Sequence, residues 1–238
     1  MVFRIGGSAT AFPDVLLQYA PLFAEGFANT LMLAASGFAI GFLLGMPIAM
    51  AETYGPRPIR WLSVGYVELI RGTPMLVQLF IIYYALPQVG ISLEAFLAAV
   101  VGLGMNSAAY QAEYFRGAIL SVPSGQMEAA ASMGMGRWQA VFAVVVPQSL
   151  RMVIPAWTNE IVYLVQYSSV AYLVTVMELT AVGGYVGSRT FQYVPVYAFV
   201  ASVYLACTLA IVKVARGLEL RYAIPGLASS RGSRWLWA

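Results

Sequence analysis

Gly26-Phe-Ala-Asn-Thr30-Leu-Met-Leu-Ala-Ala35-Ser-Gly-Phe-Ala-Ile40-Gly-Phe-Leu-Leu-Gly45-Met-Pro-Ile-Ala-Met-Ala51 runs without a charge from Glu25 to Glu52. A helix needs about 20 mostly apolar residues to cross the hydrocarbon core of a bilayer, and this run is long enough. Charge is absent again between Arg71 and Glu94, Glu94 and Glu113, Glu160 and Glu178, and Arg189 and Lys213. Hydrophobic residues make up 61% of the 238-residue chain and charged residues 10%, against about a quarter charged in a soluble domain. The chain reads as an all-α integral membrane protein.

Working outward from that run, residues 1–23 form an N-terminal lead-in with Pro13, Asp14 and Pro21. It lacks the basic start, apolar core and small-residue cleavage site of a secretory signal. Five spans follow, at about Gly26–Ala51, Ile59–Leu86, Glu94–Ala118, Met152–Met177 and Tyr193–Arg216. Thr73-Pro74 interrupts the second, since proline removes a donor and bends a helix. Its first half is expected at the interface and its second half within the membrane. Glu68 and Arg71, three residues apart, share a helical face and suit a structural ion pair. Residues 24–217 thus form the five-span domain, with a non-spanning region at 119–147, and 218–238 form a tail.

Positive charge sets the orientation, because cytoplasmic segments are enriched in Lys and Arg. One side receives Arg57, Arg60, Arg71, Arg116, Arg137, Arg151, Lys213, Arg216, Arg221, Arg231 and Arg234, and the other Arg4 and Arg189. The expectation is a multi-pass protein of a bacterial or archaeal plasma membrane, N-terminus outside, C-terminus and 119–147 region in the cytoplasm.

Composition also excludes functions. There is no histidine, hence no His-based metal site or general base. The single Cys207 cannot form an internal disulfide. The sole lysine, Lys213, follows Leu-Ala-Ile-Val, whereas a P-loop needs Gly-x-x-x-x-Gly-Lys-Ser/Thr to hold phosphates. The net charge of +3 is spread between spans, so no nucleic-acid partner is expected.

The 119–147 region carries the informative pattern. Ser121-Val-Pro-Ser-Gly-Gln126-Met-Glu128-Ala129-Ala130-Ala-Ser-Met-Gly134-Met-Gly136-Arg-Trp-Gln leads on to Val144-Val-Val146-Pro147. The spacing predicts a short helix from Ser124, a plausible N-cap, ended at Gly134 or Gly136 by a glycine at positive φ. A second short helix begins at Arg137. The small surface of Ala129–Ala131 admits a close partner.

Glu-Ala-Ala, three residues, Gly, nine residues, aliphatic-x-aliphatic-Pro resembles the coupling motif of ABC importer permeases. It falls on Glu128, Ala129, Ala130, Gly134, Val144, Val146 and Pro147. Tyr66-Val-Glu68-Leu-Ile-Arg71-Gly72-Thr73-Pro74, Tyr110-Gln-Ala-Glu113-Tyr-Phe-Arg116-Gly117, Ser121-Val-Pro123, Gly125-Gln126, Pro147-Gln148 and Asn159-Glu160 resemble the polar amino acid importer family, over roughly Asn29 to Arg216. The resemblance implies a type I ABC importer transmembrane domain: five transmembrane helices with a cytoplasmic coupling-helix loop, one half of a permease dimer with itself or a homologue. It implies an ABC ATPase subunit that carries ATP and Mg, with no cofactor in this chain. It also implies an extracytoplasmic solute-binding protein that delivers an amino acid. Glu128, Ala129, Ala130, Gly134, Gly136 and Pro147 would then couple to the ATPase, and nucleotide binding would switch the pathway from inward- to outward-open.

Charged residues inside a membrane are costly and mark candidate sites. Glu160 lies about eight residues into the fourth span, with Asn159, Tyr163 and Tyr167 on neighbouring turns and Asn106 on the third span. These are the substrate-binding candidates. Glu160 equally suits a plain hydrogen bond to a neighbouring helix. Where relatives commonly show Leu-Leu-Lys-Asp-Thr-Ser-Leu, this chain has Leu164-Val165-Gln166-Tyr167-Ser168-Ser169-Val170, which points away from cationic solutes and toward neutral or aromatic ones. A secondary transporter or channel is the alternative function, for which Glu160 alone would be the support.

Overall fold

The first uncharged run becomes part of a single helix, α1 (Phe12–Tyr54), in a computed structural model that describes residues 11–222. Pro13 stands in its first turn, where a missing donor costs nothing, and Asp14 complements the positive helix end. The helix continues through Pro21 and Pro47, so the part of the lead-in from Phe12 is continuous with the first span. At 43 residues and about 1.5 Å per residue, it is about twice as long as the ~30 Å hydrocarbon core.

Two shorter helices replace the second expected span. α2 (Arg57–Arg71) is amphipathic, burying Val67 and Ile70 while Trp61 and Leu62 stand 75% and 77% exposed. α3 (Met75–Phe80) follows, widens through a π turn (Ile81–Ala85) and then tightens into a 3-10 turn (Leu86–Val89). The axis turns by 102° between α2 and the segment Met75–Val89. Gln78 closes this break: its amide donates to the Ile70 carbonyl at 2.6 Å and the Thr73 carbonyl at 3.0 Å. Thr73 Oγ1 donates back to the Leu69 carbonyl at 2.8 Å.

α4 (Ala95–Ser121) is the hub, packed against α1, α2, α3 and the later helices α7 (Val146–Met152) and α8 (Ile154–Tyr167). Its largest partner is α1, through the stripe Gly37, Gly41, Gly45. A Cβ on Gly41 would collide with the Ser107 hydroxyl, and one on Gly45 would come within 2.9 Å of Gln111 Cβ. In the return direction, Gly104 lets Ile40 approach. Small residues at every fourth position bring helix backbones together in lipid, where van der Waals packing and not the hydrophobic effect drives association. Gly41→Leu is therefore expected to force α1 off α4 at about 1–3 kcal/mol or more, read as a lower melting temperature in detergent.

Beyond the 119–147 region, α7 (Val146–Met152) and α8 (Ile154–Tyr167) meet at Val153 beside Pro155, and the bent pair Arg137–Met152 with Ile154–Val174 turns by 53°. A 3-10 turn (Ser168–Val174) ends it. α9 (Leu179–Thr190) is a helix that hydropathy did not announce. Glu178 caps it, accepting from the backbone N–H groups of Thr180 and Ala181 at 2.9 and 2.7 Å. Asn29 and Thr30 of α1 hold the preceding break, Asn29 by donating to the Met177 carbonyl at 2.8 Å and Thr30 by accepting from the Leu179 N–H at 3.2 Å.

α10 (Tyr193–Tyr222) closes the described chain and packs on α8 and α9. Leu205, Leu209 and Val214 lie on its open side, more than half exposed. The described residues form helices and turns only, as expected. Phe12–Tyr54, Ala95–Ser121 and Tyr193–Gly217 are each long and apolar enough to cross a membrane, and the two bent pairs reach that length only as pairs. Residues 1–10 of the lead-in and 223–238 of the tail lie outside the described residues.

Candidate functional site

The 119–147 region folds into a small hairpin of helices. α5 (Ser124–Ser132) begins with Ser124 inside its first turn, so the N-cap is Pro123 and not the serine. α5 ends on two reciprocal hydrogen bonds, Met135 N–H to the Ala130 carbonyl at 3.1 Å and Gly134 N–H to the Ala131 carbonyl at 2.9 Å. This is a Schellman closure, which needs a left-handed residue, and Gly134 supplies it at φ 80°. Gly136 is extended and leads into α6 (Arg137–Ala140), then a π turn (Val141–Val145). Glu128, Ala129, Gly134, Gly136 and Pro147 are exposed, whereas Ala130 is buried at 1% on the side of α5 that packs against the turn.

The hairpin is clasped to the end of α1. The Arg137 guanidinium lies over the Tyr54 ring, 5.6 Å from its centroid, and Trp138 meets Tyr54 edge-on at 6.0 Å. Trp138 also stacks on Phe142 at 6.1 Å, and both stay more than half exposed.

Glu160 sits in the interior, 2% exposed. It accepts a 2.6 Å hydrogen bond from Ser107 of α4, and the Tyr114 hydroxyl also bonds it. Gln111 donates to the Ser107 oxygen and the Phe38 carbonyl, both at 3.1 Å, which extends the chain of contacts to α1. Tyr163 and Tyr167 stack at 4.0 Å one and two turns further along α8, and Tyr110 tilts against Tyr163 at 6.0 Å. Glu160, Tyr163 and Tyr167 therefore share a helix flank.

Two candidates do not join them. Asn159 is exposed, on a different side of α8 from the buried Glu160. Asn106 donates to Gln78 Oε1 at 3.2 Å and so steadies the α2–α3 break.

A charged cluster at the same end as the hairpin escaped the sequence reading. Arg116 grips Glu113 with two hydrogen bonds at 2.6 and 2.9 Å, and Glu52 reaches Arg116 at 3.4 Å. Arg71 turns to Glu113 at 3.3 Å, so its carboxylate partner is on α4 and not the neighbouring Glu68. The i,i+3 spacing of Glu113 and Arg116 was a usable signal. Glu52 gave none, since a charge just past a span usually faces water.

The described residues form a body of apolar helices, three of them long and apolar enough to cross a membrane, with one small exposed hairpin outside it. Residues 37–223 match the model of the binding-protein-dependent transport system inner membrane component. An L-cystine transport system permease protein of Bacillus subtilis (strain 168) is 37% identical over 198 residues, covering 82% of this chain and 85% of its own. A glutamine transport system permease protein of Escherichia coli (strain K12) is 35% identical over 206 residues, with 86% and 94% covered. A crystal structure of an amino acid ABC transporter with histidines superposes with a TM-score of 0.83 at 36% identity, covering 89% of this chain and 99% of that one.

The chain belongs to this family of binding-protein-dependent inner membrane components, as a permease subunit of the amino-acid ABC importer kind. Such subunits are non-catalytic, with ATP hydrolysis in a separate ATPase subunit, and membership implies ATPase and binding-protein partners.

Proposed function

We propose that this chain forms half of the translocation path of an importer for a polar amino acid or related small solute, neutral or aromatic in preference to cationic, delivered from outside by a binding protein and driven by ATP and Mg on the partner ATPase. The observation that carries the coupling role is the Schellman-closed hairpin, which presents Glu128, Ala129 and Gly134 outward at the end of α1. Gly136 and Pro147 frame the hairpin as the residues that start α6 and lie at the head of α7. Ala130 supports the hairpin from within. The domain reading is 24–217 as the permease, 119–147 as the docking loop and 218–238 as a cytoplasmic tail. Counting each bent pair as one span gives five spans, with the N-terminus outside. The second half of the path is another copy or a homologous permease.

The solute path in this reading runs along the Tyr110–Tyr163–Tyr167 wall, with Glu160 at its floor and Ser107 as the partner that releases the carboxylate when the path opens. Asn159 and Asn106 have no part in this path, Asn159 being exposed on another side of α8 and Asn106 bonded to Gln78. The relatives' solutes, L-cystine and glutamine, are both α-amino acids, and the loss of the Lys-Asp pair at Gln166 and Tyr167 favours neutral ones. The test is uptake into vesicles containing the permease, its ATPase, the binding protein and internal ATP. ATP-dependent accumulation of glutamine or cystine is expected, and accumulation that persists without the ATPase would overturn it.

A further inference from the structure

The cluster around Glu52 carries more than ion pairs. We propose that the pocket between the end of α1, α2 and the end of α4 binds a primary ammonium carried by a zwitterion. Glu52 and Thr53 would receive the ammonium and Arg60 the zwitterion's anionic group. This site is separate from the path beside Glu160.

The pocket encloses about 240 Å³ and is lined by Glu52, Thr53, Arg60, Glu68, Glu113 and Arg116, with three aliphatic side chains. Its charges are unevenly used. Arg116 and Glu113 satisfy each other, whereas Glu52, only 4% exposed, spends Oε2 on Arg116 and leaves Oε1 with no hydrogen-bond partner in the protein. Thr53 Oγ1 beside it is also buried and unpartnered. A buried carboxylate oxygen without a donor is costly. An ammonium offers three donors, which Glu52 Oε1, Thr53 Oγ1 and the Glu68 carboxylate in the same lining would share. The lining holds three carboxylates and two guanidiniums, so it offers partners to both the ammonium and the anionic end of a zwitterion. A bare metal ion fits poorly, because the guanidiniums interleave the acids and no group of acids among the described residues could hold one.

Arg60 has no carboxylate within ion-pair distance among the described residues, and it lies in the same lining. It is placed to meet an anionic group on the same ligand. Glu52 follows Ala51, the end of the first uncharged run, and Arg60 adjoins the exposed Trp61 and Leu62. Such residues mark headgroup depth. The ammonium therefore has two sources of one chemistry: a free α-amino acid or the headgroup of an ethanolamine phospholipid.

The test uses the assembled transporter with its ATPase in nanodiscs. In the lipid arm the bilayer mixes phosphatidylethanolamine and phosphatidylcholine, whose methylated ammonium cannot donate. Native mass spectrometry should show wild type retaining the ethanolamine lipid selectively and Glu52→Gln losing that selectivity by about tenfold, the weight of one charge-assisted hydrogen bond. In the free arm, with phosphatidylcholine alone and no binding protein, L-glutamine and L-cystine are titrated calorimetrically. A component weakened about tenfold by Glu52→Gln but kept by Glu160→Gln assigns the site to the free amino acid. Arg116 stays held by Glu113 in the variant, so assembly should survive, and Arg60→Gln gives the same answer independently. No Glu52-dependent or Arg60-dependent binding in either arm overturns the proposal. A transporter that imports neither amino acid would defeat the function reading while the lipid arm still decides this site.

Discussion

Gly134→Asp is expected to cut ATP-driven uptake by about tenfold or more while the chain still inserts and assembles. Nothing lies within 4 Å of a Cβ built at Gly134, so the substitution meets no clash. Its backbone cost is that of an L-residue in the left-handed region, about 1–2 kcal/mol and less for aspartate or asparagine. The hairpin thus keeps its shape at modest cost, and the new carboxylate adds to the exposed hairpin surface that also carries Glu128. A docking surface that tolerates one acid loses affinity when a second is pressed against the same partner, at about tenfold for each 1.4 kcal/mol. Gly134→Asn, similar in size but uncharged, should retain most of the uptake. The measurement is uptake in proteoliposomes beside the yield of permease–ATPase complex. Normal uptake by the aspartate variant would remove this hairpin from the coupling role.

Glu160→Leu should be the most damaging single change in the membrane body. It leaves the Ser107 and Tyr114 hydroxyls without their buried acceptor, at about 1–3 kcal/mol for each unsatisfied group. Loss of assembled complex is the expected result. Glu160→Gln keeps an acceptor oxygen toward Ser107 and removes the charge, so the complex should form in wild-type yield. If Glu160 forms the floor of the solute path, uptake by the glutamine variant falls about tenfold, the scale of a lost charge-assisted contact. Full uptake across glutamine, cystine and other amino acids would restrict Glu160 to joining α8 to α4.

The legible parts were those governed by composition and by local backbone rules. Uncharged runs announce membrane helices because charge is costly in lipid, and Gly134 is recognisable because few residues adopt φ > 0. What stayed hidden depends on distant partners. Nothing local tells that Asn106 meets Gln78 across 28 positions, or that Arg71 prefers Glu113 on another helix to Glu68 on its own. α9 escaped because its sequence is poor in helix formers, with Gly183, Gly184 and Gly187 inside it. Its cap is a glutamate, a residue outside the usual N-cap set. The burial of Glu160 was expected, but whether it serves solute or structure is not written in its spacing.

The glycine stripe of α1 has a consequence for biosynthesis. Gly41 packs against Ser107 and Gln111, which leave the ribosome only after more than sixty further residues have been made. At about 5–20 residues per second the stripe waits for several seconds, inserted but without its mate. A row of small residues at four-residue intervals is itself a pairing surface between transmembrane helices. During that interval two nascent chains on neighbouring ribosomes can associate through α1, and crowding of translating ribosomes on one message would raise the fraction of mispaired subunits.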